Sequence, residues 1–312
     1  MDGISLRGRT ARHLVEVAHN FPLLRDKVNN GENRQKLYEK EKQWICPEHL
    51  SLEQIDMPDF QMEKLTSVIK SPDIADGIII QLHGGGYYGP IHNIYRDMAA
   101  LYVEVSDGMP VLSVDYRVAP DNPYPAALND ALTAYKWVLN EGYEPSRIII
   151  VGDSAGGGLA LAVGHYLKDH NMPFPAGFVV MSPWTDLALT GDSYQDNFEI
   201  DPIFGGTKES LVFQNEYYRL DYPENPYISP LYGSFEDFPP MLIQVGDMEM
   251  LLSDSLRVAE KAKQAGCLVK LHVFEGMFHD FQMGLLYYPE SKSAWIEVGR
   301  YIRYIKRDWE NV

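Results

Sequence analysis

RIIIVGDSAGGG, residues 147–158, is the stretch whose reading decides the fold. Ile148, Ile149, Ile150 and Val151 form a β-branched apolar run, the composition of a strand covered on both faces. Good helix formers follow from Leu159 to Leu167, so the segment reads as buried strand, sharp turn and helix. The turn, Gly152-Asp153-Ser154-Ala155-Gly156, fits G-x-S-x-G. In that pattern the flanking glycines permit a bend tight enough to leave the serine at the helix start. The free N–H groups at that end of a helix can steady negative charge. Glycine and serine are common, so the pentapeptide alone is a weak signal; between a strand and a helix it is much stronger.

Upstream and downstream the same alternation recurs. Residues 62–69 read as a strand with Met62, Leu65, Val68 and Ile69 as its apolar positions, punctuated by Ser71-Pro72-Asp73. A buried strand at 78–82 runs into HGGGYY, residues 83–88. A helix over 95–105, a strand at 110–115, the segment YRVAP at 116–120 and a helix over 126–139 lead to the central strand. After it come strands at 177–182, 241–245 and 268–274, with helices over 253–265 and 290–308. Strands alternating with helices predict an α/β fold: a mostly parallel central sheet with helices on both faces. Ligands in such sheets sit beyond the carboxyl ends of the strands, where HGGG, GDSAG and the loop around His279 all fall. Two segments stand outside the rhythm. Residues 1–50 are rich in Arg, Lys, Glu and Asn, with Leu14, Val17, Ala18, Phe21 and Leu24 at helical spacing, and predict helices. Residues 188–230 are aromatic, proline-rich and acidic, with a helical piece over 208–218, and predict an insertion over the site.

Composition bounds the function. With 312 residues, 45% of them apolar, the chain can bury a large core. Its 44 acidic against 27 basic residues give a formal charge of −17, which argues against nucleic acid or an anionic membrane surface as partner. Apolar runs are strand-sized and far short of a membrane span. Cys46 and Cys267 are distant in sequence, no C-x-x-C occurs, and MDGISLRGRTARHL lacks the apolar core of a secretory signal. A reducing, cytoplasmic location is expected.

A serine hydroxyl is a poor nucleophile at neutral pH and needs a base, which in turn needs an orienting group. Of nine histidines, His13, His19, His49, His92, His165 and His170 fall on helices or loops and read as surface or packing residues, while His272 lies inside a strand. His279 follows a strand end in a loop containing Gly276, in the chain order serine, acid, histidine, and reads as the base. His83 lacks a nearby histidine or cysteine partner for a metal. Beside it Gly84, Gly85 and Gly86 lack Cβ atoms, so their backbone can press on a substrate and aim N–H groups at an oxyanion, joined by the N–H of Ala155. Asp115 and Arg117 read as a structural ion pair.

HGGGY at 83–87, DYRVAP at 115–120 followed by PYPAA at 123–127, and GDSAGG at 152–157 together resemble the hormone-sensitive-lipase-like (bacterial family IV) esterases of the α/β-hydrolase superfamily. The resemblance spans about residues 60 to 310 and implies a carboxylic-ester hydrolase with an N-terminal helical cap and no cofactor; no metal is expected, and small to medium, acetyl-like esters are the expected substrates. It matches Ser154 to the nucleophile, His279 to the base, and Gly84, Gly85 and Ala155 to the oxyanion hole. The family often shows Asp-Pro-Leu at the acid, whereas this chain reads GDMEML at 246–251. Glu249 aligns with the acid, 30 residues before His279, with Leu251 where the pattern has its leucine. Asp247, beside Gly246, is the alternative and has a ready role as a turn former; Asp254 looks helix-borne and too late. Tyr87, Tyr88, Trp184 and Phe204, with Phe198 and Phe213, are the candidate pocket walls. The expected division is cap helices at 1–55 and a catalytic domain at 56–312 carrying 188–230 as a second cap segment. A small-molecule ester and a second copy in a homodimer are the expected partners. An arylformamidase or related amidase would use the same residues, and a non-catalytic binding protein, as the plant gibberellin receptors illustrate, would use the same fold.

Overall fold

Four consecutive β-branched residues are well housed only where both faces of their strand are covered. In the computed structural model, which describes residues 3–19, 40–70, 73–219 and 221–307, that is their position. Strand β5 (Ile148–Asp153) lies within an eight-stranded sheet. The other strands are β1 (Leu50–Asp56), β2 (Gln61–Ser67), β3 (Ile78–Leu82), β4 (Val111–Asp115), β6 (Gly177–Met181), β7 (Met241–Gly246) and β8 (Val269–Phe274). Their spatial order is β1-β2-β4-β3-β5-β6-β7-β8. Strands β3 to β8 pair in parallel, and β2 is antiparallel to both β1 and β4.

Among the described residues the helices are α1 (Leu6–His19), α2 (Asn93–Val105), α3 (Ala126–Asn140), α4 (Ser154–Asp169), the single turn α5 (Ser193–Asp196), α6 (Leu252–Gln264) and α7 (Pro289–Lys306). Ile148 and Ile150 pack with Ile80, Phe178 and Ile243 beneath α3, α4 and α6. Ile149 and Val151 turn the other way and join Ile79, Val179 and Leu242 against α2 and α7. The parallel strands all point one way, so β3, β5, β7 and β8 deliver the segments that follow them to a single edge of the sheet.

Several expectations need correction. Leu50–Asp56 is a strand, paired along its whole length with β2, so the region before the sheet ends near residue 49 and not at 55. Its polar residues Glu53, Gln54 and Asp56 conceal it because an edge strand draws on ladder hydrogen bonds and here buries only Leu50. No helix forms over 208–218; a 3-10 turn at Leu211–Phe213 and irregular backbone take its place. Leu211, Val212 and Tyr217 are buried there at spacings no helix face supplies, so tertiary contacts override local propensity. On α1, Leu14 and Val17 are exposed, while Ala11 and Val15, with Ile4 ahead of the helix, meet a cluster of Phe274, Met277 and Phe281. Phe21 and Leu24 lie outside the described residues, as does Asp308 at the expected end of the last helix. Arg117 pairs with the buried Asp130 and not with Asp115, its guanidinium and backbone N–H both reaching that carboxylate.

Candidate active site

The turn from β5 into α4 is closed by backbone contact. A Cβ on Gly156 would stand 2.1 Å from the carbonyl oxygen of Leu82, and one on Gly152 would stand 2.3 Å from that of Gly156. Strand β3 and helix α4 therefore meet where only glycine fits. Between them Ser154 is held at φ 50, a left-handed conformation uncommon outside glycine and recurrent at functional turns. Its carbonyl accepts the N–H of Trp184, which fixes the turn against the segment after β6.

From there the side chain reaches His279. Ser154 Oγ lies 2.9 Å from His279 Nε2, and His279 Nδ1 lies 3.0 Å from Glu249 Oε2. All three groups are buried. Burial lifts Glu249 above the ordinary carboxylate range, an effect opposed by the imidazole, the N–H of Gly246 and the hydroxyl of Ser182. Asp247 is elsewhere: its Oδ1 accepts the N–H of Gly276 at 2.7 Å and ties the loop after β7 to the loop that carries His279. Asp254 sits on α6, its carboxylate accepting the N–H groups of Thr185 and Asp186.

The glycine loop lies over the β5 turn. Gly85 and Gly86 have φ +110 and +66, which a side chain would strain. Among the described residues their N–H groups have no protein acceptor. Ala155, in the first turn of α4, has an N–H that no helical carbonyl can reach. Gly84 is different. Its missing Cβ makes room for the buried carboxyl of Asp153, whose Oδ2 would stand 2.2 Å from that atom, and its N–H bears on the same carboxyl. Asp153 makes no side-chain hydrogen bond of ordinary geometry among the described residues, and burial together with the charge of Asp280 holds it well above the usual carboxylate range. His83 is also buried: it stacks on Tyr116 at 4.1 Å, and desolvation pulls its imidazole down to about 4. It stays neutral, with Nδ1 at 2.8 Å from the Gly84 carbonyl and Nε2 at 3.9 Å from Asp115.

The four aromatic candidates divide. The ring of Phe204 lies 4.6 Å from the imidazole of His279. Tyr88 donates its hydroxyl to Glu216 at 2.6 Å. Tyr87 stacks on Tyr217 at 3.7 Å, and Trp184 lies beside Tyr87; both are almost wholly buried in the core. Phe198 and Phe213 clamp the Lys208 ammonium between their rings, at 4.7 and 4.6 Å. Glu216, Tyr217, Phe204 and Leu211, which packs over Gly86, all come from the 188–230 segment.

Four further residues join the site, three of them without a sequence signal. Ser182, at the end of β6, donates to Glu249 Oε1 at 2.7 Å and accepts the N–H of Asp280. Asn197 donates its side-chain amide to the carbonyls of Asp247 and Glu249. Asp201 accepts the N–H groups of Ile203, Phe204 and Met250, which ties the Phe204 turn to the loop of Glu249. Asp280 places Oδ2 at 3.1 Å from His279 Nε2. Only the HDF tripeptide could have pointed to Asp280, and adjacency says nothing about which ring nitrogen a neighbour meets.

Comparison with known proteins bears on the fold and the activity. Residues 79–283 match the family described as the alpha/beta hydrolase fold. An esterase of Acinetobacter venetianus is 37% identical over 75% of this chain and 77% of its own length. An acetyl-hydrolase of Streptomyces hygroscopicus is 34% identical over 72% and 75%. A crystal structure of an esterase from the bacterial hormone-sensitive lipase family superposes with a TM-score of 0.85 at 31% identity, covering 96% of this chain and 98% of that one. The chain belongs to the hormone-sensitive-lipase-like esterases of the α/β-hydrolase superfamily.

Proposed function

We propose that the protein is a serine carboxylesterase for small to medium acyl groups, acetyl-like esters included. One observation carries the reading: a single imidazole has the Ser154 hydroxyl on one nitrogen and the Glu249 carboxylate on the other, at 2.9 and 3.0 Å. In this reading Ser154 Oγ attacks the ester carbonyl carbon while Nε2 takes its proton. The oxyanion is met by backbone N–H groups, with Gly85, Gly86 and Ala155 ahead of Gly84, whose N–H is turned to Asp153. Collapse of the tetrahedral adduct breaks the bond to the alcohol, which leaves with the proton from Nε2. Water then attacks the acyl-enzyme by the same route in reverse. Glu249 keeps the proton on Nδ1 and steadies the imidazolium.

The 188–230 segment and the residues before β1 act as the cap. Support comes from Phe204 on the imidazole, Leu211 over Gly86, and α1, whose Arg12 donates to the Gly276 carbonyl beside the histidine loop. A cytoplasmic location is supported by the two unpaired cysteines, Cys46 and Cys267. No helix among the described residues is long and apolar enough to cross a membrane. A homodimer would use β8, an edge strand with Val273 and the adjacent Leu268 exposed; light scattering on the eluted protein reads its mass.

The test is turnover of p-nitrophenyl acetate and butyrate by wild type and by Ser154→Ala, with an aryl formamide in parallel. Ester turnover lost in the variant supports the reading. Preferential turnover of the formamide makes the enzyme an amidase, and no turnover of either overturns the catalytic reading.

A further inference from the structure

Glu249 accepts from Nδ1 of His279, so the neutral ring carries its one proton there and presents a bare lone pair at Nε2. Ser154 can donate into that lone pair. A carboxylate cannot, yet Asp280 Oδ2 stands 3.1 Å from the same nitrogen, close to the 2.9 Å of Ser154 Oγ. Two lone pairs at that separation repel, and a proton on the ring turns the contact into an ion pair. The geometry therefore holds one proton more than the attacking state allows.

The surroundings say where it resides. The groups facing the imidazole are Ser154 and Asp153 from the β5 turn, Glu249 from the loop after β7, Asp201 and Phe204 from the 188–230 segment, and Asp280 from its own loop. From α2 the buried Tyr102 phenol also feels the charge of Asp280. Burial and the charge of Asp280 push Asp153 toward its protonated form, against the pull of the imidazole, so it is the weaker counter-charge. Asp201 spends its oxygens on three backbone N–H groups. Asp280 has Oδ1 buried without a partner among the described residues, so its one close counter-charge is the ring.

We propose that Asp280 is a positioning residue that holds a proton on Nε2 of His279, as Glu249 holds the one on Nδ1, and thereby sets the acid limit of the reaction. In the resting site the imidazolium lies between two carboxylates. Attack begins only after that proton has left to solvent, when Nε2 is free to accept from Ser154. Burial by itself disfavours the charged ring, but Asp280 and Glu249 outweigh it and hold His279 well above the usual histidine range. The sign is fixed: a raised value means the reactive neutral ring is lost first as pH falls, and removing Asp280 restores it. The inference rests on the Ser154–His279 reading of the site.

The experiment is the pH profile of kcat/KM for wild type and Asp280→Asn, with the ring protons of His279 followed by NMR in both. Asparagine tolerates the left-handed backbone at φ 53, and so does glycine, so Asp280→Gly is the second variant if the first does not fold. The expected result is an acid limb displaced downward by about one pH unit or more, with the NMR midpoint moving in step. Below the wild-type limb that is a gain of about tenfold in rate. An unmoved limb and midpoint overturn the proposal, because a merely structural residue would change the rate at every pH alike. The NMR titration needs no turnover, so it still reports on Asp280 if Ser154→Ala proves active and the catalytic reading falls.

Discussion

Ser154 is buried beside glycines and contributes only a hydroxyl, so replacing it with alanine removes one hydrogen bond to His279 and little packing. Ser154→Ala is predicted to lose turnover by about ten-thousandfold or more while keeping the wild-type circular dichroism spectrum. The two acids beside β7 give a sharper contrast. Glu249 meets the imidazole and Asp247 meets a backbone N–H, so Glu249→Gln should cost about a thousandfold or more in kcat. Asp247→Asn, which keeps an oxygen for Gly276, should cost about tenfold or less. Steady-state turnover of a short-chain ester decides between them, and the reverse ranking would move the acid to Asp247. At this scale the family pattern, through the spacing to His279 and the position of Leu251, favours Glu249 in the sequence and leaves Asp247 as the alternative. Ser182, Asn197 and Asp201 could not be read there, since each acts through a backbone or carboxylate group supplied by a distant segment.

The meeting of β3 with α4 is the contact between elements on which the site depends. Gly156 allows it, because any Cβ there would lie 2.1 Å from Leu82 O and 2.4 Å from His83 O, both backbone atoms that cannot yield cheaply. Gly156→Ala should therefore push α4 away from the glycine loop. It is predicted to lower stability by about 1–3 kcal/mol, read from the denaturant midpoint, and to lower turnover as well. Helix α1 offers another test. Ser5 is bonded through its N–H and hydroxyl to Glu290 on α7, and Ile4, Ala11 and Val15 cover Phe274, Met277 and Phe281. Removing residues 1–19 uncovers that apolar cluster beside the histidine loop and is predicted to cause aggregation on a sizing column, not a broader substrate range.

Across the whole molecule, the site lies at the carboxyl edge of the sheet with segment 188–230 folded onto it, through Phe204, Leu211, Glu216 and Tyr217. If that segment acts as the proposed cap, it limits the length of acyl chain the site accepts. Turnover is predicted to fall by about a hundredfold or more between butyrate and palmitate esters at equal molar concentration, measured below the concentration at which the long ester aggregates. Equal rates would mean an open groove. Lys208, held between Phe198 and Phe213, lies within this segment and ties two of its turns together.

The α/β alternation, the strand–turn–helix around Ser154, the glycine loop and the histidine loop are all legible in the sequence. Each is a local pattern: a β-branched run needs two covered faces, a tight turn needs glycine, and a parallel sheet brings its strand ends to one edge. Edge strand β1 escaped because ladder hydrogen bonds to β2, and not apolar alternation, hold it. The irregular 188–230 segment escaped because Leu211 packs on Gly86 and Tyr217 on Tyr87, each more than a hundred residues away. Sequence singled out Ser154 and His279, and the Glu249 or Asp247 loop, which the structure brings to one place. Only the tertiary structure decided what surrounds them: that Gly84 meets the Asp153 carboxyl, that Arg117 pairs with Asp130, and that Asp280 turns to Nε2. Those contacts depend on the direction and distance of side chains from separate elements, which no spacing along the chain encodes.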